Sequence, residues 1–116
     1  MRLALVGLVI LVGTVSCVST ALEALPLTVT VEASRTTAAP KDSILFVIRA
    51  GGGALLGLQA DYGDGTSVDS FGASGARTAS VTFRHAYLTA GTYTVTASAI
   101  DAAAGQKTAT VQIRVN

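Results

Sequence analysis

The sequence predicts an all-β fold, a two-sheet sandwich of about seven short strands in one domain behind an N-terminal export segment. Three observations carry this. From Leu27 onward, apolar and polar residues alternate with period two. Clusters of Gly, Pro and Asp separate the alternating runs, and no stretch beyond the N-terminal segment has helical periodicity. The 27–116 stretch is small but long enough to bury one core without disulfides.

The first alternating run places Leu27, Val29 and Val31 against Thr28, Thr30 and Glu32. Ala33–Ser43 reads as a polar connection with Pro40-Lys41-Asp42 as a turn cluster. Ile44–Ala50 is apolar on both parities until Arg49, the pattern of a strand covered on both faces or with one face under a loop. Gly51-Gly52-Gly53 reads as a break, because three glycines lose much conformational entropy inside an element. Leu55–Tyr62 is the next strand, with Leu56, Leu58, Ala60 and Tyr62 on one face, and Asp64-Gly65 supplies a tight turn. Ser67–Arg77 reads as a loop with a short edge strand near Val68–Phe71. Ala79, Val81, Phe83, His85 and Tyr87 then share one parity. The last two strands alternate most clearly. Tyr93, Val95, Ala97 and Ala99 alternate with Thr92, Thr94, Thr96 and Ser98, and after a turn at Ala102–Gly105, Ala109, Val111, Ile113 and Val115 alternate with Thr108, Thr110, Gln112 and Arg114.

Residues 1–16 are a different object. Met1-Arg2 gives a basic start, Leu3–Val12 is almost purely aliphatic, and small residues follow, the pattern of a secretory signal peptide. The uncharged run Leu3–Leu22 has about the length of a membrane span, so a retained anchor is the competing reading, weakened by Thr14, Ser16, Ser19 and Thr20. Cys17 is the only cysteine and has no internal disulfide partner. Its place after Thr14-Val15-Ser16 resembles a bacterial lipobox, with Thr14 where an aliphatic residue is usual. The resemblance implies that Cys17 is lipidated as the first mature residue. Cleavage after Ala21 is the rival. Residues 17–26 then form a tether that ends at Pro26.

Two segments resemble the signature of the PKD domain family. One is Ala60-Asp61-Tyr62-Gly63-Asp64-Gly65, where the family carries Trp-Asp-Phe-Gly-Asp-Gly. The other is His85-Ala86-Tyr87, followed by Gly91-Thr92-Tyr93-Thr94-Val95, for the family's His-x-Tyr and Gly-x-Tyr-x-Val. The resemblance spans Leu27–Asn116 and implies an immunoglobulin-like β-sandwich of bacterial surface and secreted proteins. Ala60 replaces the family tryptophan. By parity it still faces inward, and the lost volume falls to Phe46, Leu56 or Leu58.

Composition and charge exclude several functions. The net charge is +1 and charged residues are 13% of the chain, so no basic field favours nucleic acid. There is no Trp for sugar stacking. Asp61, Asp64 and Asp69 are the only clustered acids and the candidates for a calcium site, although Gly63 and Gly65 stand where an EF-hand would need oxygen ligands. The alternative gives Asp64 to the turn and Asp61 to solvent. His85 is the sole histidine and is expected to bond loop backbone at a strand end. Tyr87 is expected to act as a tyrosine corner and Tyr93 to fill the core. No nucleophile elbow or phosphate loop is present, and neither an enzyme nor a cofactor is expected.

The expected role is therefore non-catalytic: an adhesion, interaction or spacer module at the cell envelope. Its partner would be a protein or polysaccharide in trans, since the domain is nearly the whole of the sequence. A carbohydrate-binding module, using Phe71, Tyr62 or Tyr87, and a calcium-stabilised spacer are the alternatives.

Overall fold

The computed structural model describes residues 25–116; the export segment and Cys17, with its lipidation reading, lie outside the described residues. Alternation becomes six strands: β1 (Thr28–Ala33), β2 (Thr37–Ala38), β3 (Ser43–Asp61), β4 (Asp69–Ala86), β5 (Gly91–Asp101) and β6 (Gly105–Val115). The long strand β3 organises the rest. β4 pairs with it along one edge. On the other edge β1 takes its first half, from Thr28↔Gly51 to Ala33↔Phe46, and β5 takes its second, from Leu55↔Asp101 to Asp61↔Thr96. β6 extends β5, and β2 closes on the end of β6 in parallel.

All six strands form one hydrogen-bonded sheet, so the expected two sheets are two halves of one curled sheet. The curl follows from simple distances. Along a straight ladder, the Ile44↔His85 pair would lie on the order of 50 Å from Asp61. Yet His85 Nε2 is 2.7 Å from Asp64 Oδ2, and the His85 ring lies 3.9 Å from that of Tyr62. The β3–β4 ladder therefore folds back, and the two halves face each other across one core, with the immunoglobulin-like arrangement of strands.

The fold-back is made by two bulges. Pairing slips between Gly51↔Thr78 and Leu55↔Ala76, and again before Gly57↔Gly72. The first slip adds residues to β3 within Gly52–Ala54. The second adds them to β4 within Ala73–Gly75, where Ser74 and Gly75 sit at φ 53° and 84°. The two insertions cancel, so Ala60↔Asp69 and Ile44↔His85 keep one common register. A bulge bends and twists its strand, which is what a ladder crossing between two halves requires.

This corrects the strand count and two boundaries. Gly51-Gly52-Gly53 is not a break, and Ser67–Arg77 is for the most part not a loop. The runs expected as 44–50 and 55–62 fuse into β3, and 68–71 and 79–87 into β4. Glycine weakens a regular strand but suits a bulge. Ile44–Ala50 is also covered on one face only. Ile44, Phe46, Ile48 and Ala50 are buried, while Ser43, Leu45 and Arg49 are exposed. The bulge moves Leu55 into the core and leaves Leu56 53% exposed, so Leu56 cannot fill the space beside Ala60; Phe46 and Leu58, both fully buried, remain. The core combines these residues with Val95, Ala97, Ala99, Ile113 and Val115 from the β5–β6 hairpin. Each large aliphatic or aromatic side chain so buried contributes about 1.5–3 kcal/mol.

Candidate functional site

The signature residues gather at the end of the sandwich where β3 stops and β4 finishes. Locally the turn is shaped by its own acids. Asp61 Oδ1 accepts the Gly63 N–H at 3.0 Å, and Asp64 Oδ1 accepts the Thr66 N–H at 3.1 Å and its hydroxyl at 2.6 Å. Gly63 and Gly65 lie at φ 78° and 84°. A Cβ on Gly63 would run into the Thr94 carbonyl, so this position needs glycine for space as well as conformation.

Long-range ties then fasten the turn to the rest. His85, from the far end of β4, bonds Asp64 Oδ2 at 2.7 Å, and its ring stacks parallel on Tyr62. The Tyr62 hydroxyl donates to Asp69 Oδ2 at 2.5 Å, pinning the start of β4. Tyr87, 1% exposed, packs T-shaped against the His85 ring and donates its hydroxyl to the Tyr62 carbonyl at 2.8 Å. The bond ties the β4–β5 loop to the end of β3, as a corner tyrosine would, although its acceptor lies 25 residues upstream and not the few of a tyrosine corner. The Tyr87 carbonyl in turn accepts the Lys41 N–H at 2.7 Å, so the β2–β3 connection joins the same knot. Tyr93 stacks on Tyr87 at 4.2 Å and donates to the Thr89 carbonyl. Gly91 opens β5 against the Tyr93 ring, Val95 is fully buried, and Ala60 faces inward with no exposed surface.

Burial, with the Asp69 carboxylate beside it, pushes the Tyr62 hydroxyl well above the usual phenol range. Burial does the same to Tyr87, helped by Asp64. Asp64 moves the other way. Burial alone would raise it, but the Thr66 and His85 hydrogen bonds outweigh burial and hold the carboxyl below its ordinary value.

Two expectations change. His85 bonds a carboxylate rather than loop backbone, and Tyr93 is half-buried at the rim rather than in the core. The Asp64–His85 contact joins residues 21 apart, and nothing in the local pattern of either strand announces it. The three aspartates do not converge: each takes different partners, and among the described residues no group of three His, Cys, Asp or Glu is placed to hold a metal. Of the three aromatics considered for sugar binding, Tyr62 and Tyr87 are buried and only Phe71 is exposed, at 40%.

The imidazole–carboxylate pair invites a catalytic reading, and its wiring argues against one. Nucleophile activation needs a hydroxyl on the imidazole and a carboxylate on the other ring nitrogen. Here the hydroxyl bonded to the pair, that of Thr66, donates to the carboxylate, and His85 Nε2 is occupied by Asp64. The cluster borders an open depression of about 400 Å³ lined by Ala86, Leu88, Thr89 and Tyr93 beside Asp64 and Thr66.

No curated protein matches the sequence. Among solved structures, the chain is similar to the PKD domain of an M14-like peptidase from a Thermoplasmatales archaeon. The TM-score is 0.65 at 20% identity, covering 75% of this chain and 91% of that one. It is also similar to the CARDB domain of a Pyrococcus furiosus protein, solved in complex with di-metal ions. That match has a TM-score of 0.59 at 14% identity and covers 78% and 92% of the two chains. At these identities the likeness is one of fold. The family model described as PKD domain matches residues 28–115, the whole span from β1 to β6. With the sandwich and its signature cluster in place, the chain belongs to the PKD domain family, whose members are in general non-catalytic modules of the extracellular type.

Proposed function

We propose that this chain is a non-catalytic interaction or spacer module at the bacterial cell envelope, held there through a lipidated Cys17 and contacting a protein or polysaccharide in trans. One observation carries the reading. The polar signature groups are engaged within the domain, Asp64 by Thr66 and His85, Asp69 by Tyr62, and the Tyr87 hydroxyl by the Tyr62 carbonyl. Groups held in this way support the fold, and recognition is left to the loops and the exposed threonine-rich outer faces.

The chain enters the domain at Thr28, paired with Gly51, at the end opposite the signature cluster. A tether over residues 18–26 reaches at most about 30 Å when fully extended. Anchored at Cys17, the domain would stand close to the membrane with the signature end pointing away. The test compares the full chain with a Cys17→Ala variant in a bacterial host, by cell fractionation and mass spectrometry of the mature N-terminus. The expected result is an acylated Cys17 in the membrane fraction, lost in the variant. A mature chain beginning at Leu22 in both proteins overturns the anchoring.

A further inference from the structure

β4 is the longest unguarded edge among the described residues. It pairs with β3 on one side and, among the described residues, with nothing on the other. No residue of its 18 is buried. The other free edges are shorter, since β1 is six residues long and β6, whose end pairs with β2 at Arg114 and Val115, is open only over Gly105–Ile113. Unpaired strand edges template further pairing, and proteins usually blunt them with Pro, Lys or a bulge. β4 has neither Pro nor Lys, its inserted residues lie at Ala73–Gly75, and Arg77 and Arg84 stand near the two ends of Ala76–Ala86, so Thr78–Phe83 is a regular stretch with no blunting charge. Its core-side residues Ala79, Val81 and Phe83 are only half-buried, whereas their β3 partners Ala50, Ile48 and Phe46 are buried. The apolar layer is open along this edge.

We propose that Ala76–Ala86 pairs with the same segment of a second copy, antiparallel about a two-fold axis at Val81. The segment is self-complementary in this register. Val81 meets Val81 on the axis, each small Ala79 meets a large Phe83, and Ser80 meets Thr82 on the outer face. Thr78 meets Arg84, so no like charges are directly opposed. Arg77, which has no acidic partner among the described residues, falls opposite the partner's His85 and its bonded Asp64 carboxylate. The two curled sheets become continuous across the pair, and strand addition satisfies the free backbone groups while covering the open apolar layer. This inference is independent of how the chain is anchored.

The test is disulfide trapping of the full chain on intact cells. Directly opposed antiparallel residues have Cβ atoms about 4.5–5.5 Å apart, near enough for a small adjustment to close a disulfide. Val81→Cys should give an oxidised dimer on non-reducing gels. Wild type, carrying only Cys17, and Thr110→Cys on the exposed face of β6 should not. Adding Ser80→Lys and Thr82→Lys, both at exposed positions, sets lysine against lysine twice and should abolish the dimer with an unchanged circular dichroism spectrum. Dimer yield no higher than for Thr110→Cys overturns the proposal, as does a dimer undiminished by the lysines.

Discussion

The two ends of the sandwich are each held by an aspartate, and they use it differently. At the signature end Asp64 bonds another side chain, His85, inside an aromatic stack. At the glycine end Asp101, 3% exposed, bonds backbone only: Oδ1 accepts the Ala54 N–H at 2.7 Å, and Oδ2 accepts those of Ala103 and Ala104 at 2.9 Å. It thereby fastens the β3 bulge to the β5–β6 turn. Those backbone hydrogen bonds hold its carboxyl below the ordinary range, against the effect of burial. A carboxylate serving backbone accepts any residue but proline at its partners' positions, since only an N–H is needed. One serving an imidazole requires that histidine.

The two ends differ most at their glycines. Alanine at Gly63 would meet the Thr94 backbone at φ 78°, where nothing can give way, and should cost about 3 kcal/mol. Alanine at Gly52 would place its Cβ 2.6 Å from Asp101 Oδ1, a side-chain atom that can retreat by giving up its amides, so the loss should be smaller. Thermal melts of the two variants should rank in that order, and the reverse would mean that the backbone-bonded end is the stiffer.

Next in size is the Tyr87 hydroxyl. Tyr87→Phe keeps the stacking on Tyr93 and removes the bond to the Tyr62 carbonyl, leaving a buried acceptor unpaired, at about 1–2 kcal/mol. Urea denaturation measures it. No change would show that the aromatic packing alone holds that end.

The smallest effect is the pH response. Both aspartates have lowered folded-state values, so each contributes stability that is present above the unfolded carboxyl pKa of about 3.9. That stability is lost as pH falls through the folded values. Melting temperature should therefore be steady near neutrality and fall below about pH 4. Asp64→Asn and Asp101→Asn should each flatten part of the decline. An unchanged acid limb in Asp64→Asn would remove the His85 contact as a source of stability.

Much of this was legible along the chain because it is local. The turn at Asp64-Gly65, the inward parity of Ala60, and the alternation of β5 and β6 follow from backbone conformation and period two, which neighbouring residues carry. That the Tyr87 hydroxyl ties a loop to a strand could be anticipated from its place after a strand, but its acceptor, 25 residues away, could not. The fate of Gly51-Gly52-Gly53 could not, because a glycine run reads the same whether the chain leaves the sheet or bulges within it. A second insertion, at Ala73–Gly75, keeps β3 and β4 in one register, and the two segments show their relation only when paired.

Periodicity and turn chemistry are properties of short segments, and from them follow an all-β sandwich, the turn at the signature end and most of the core, with Leu55, Leu56 and Tyr93 as the exceptions. The folded arrangement made single bent strands of two pairs of expected ones. It alone wired His85 to Asp64 and left β4 as an open edge. These depend on register across residues far apart in the chain, and register is settled by the balance of core burial along the whole ladder.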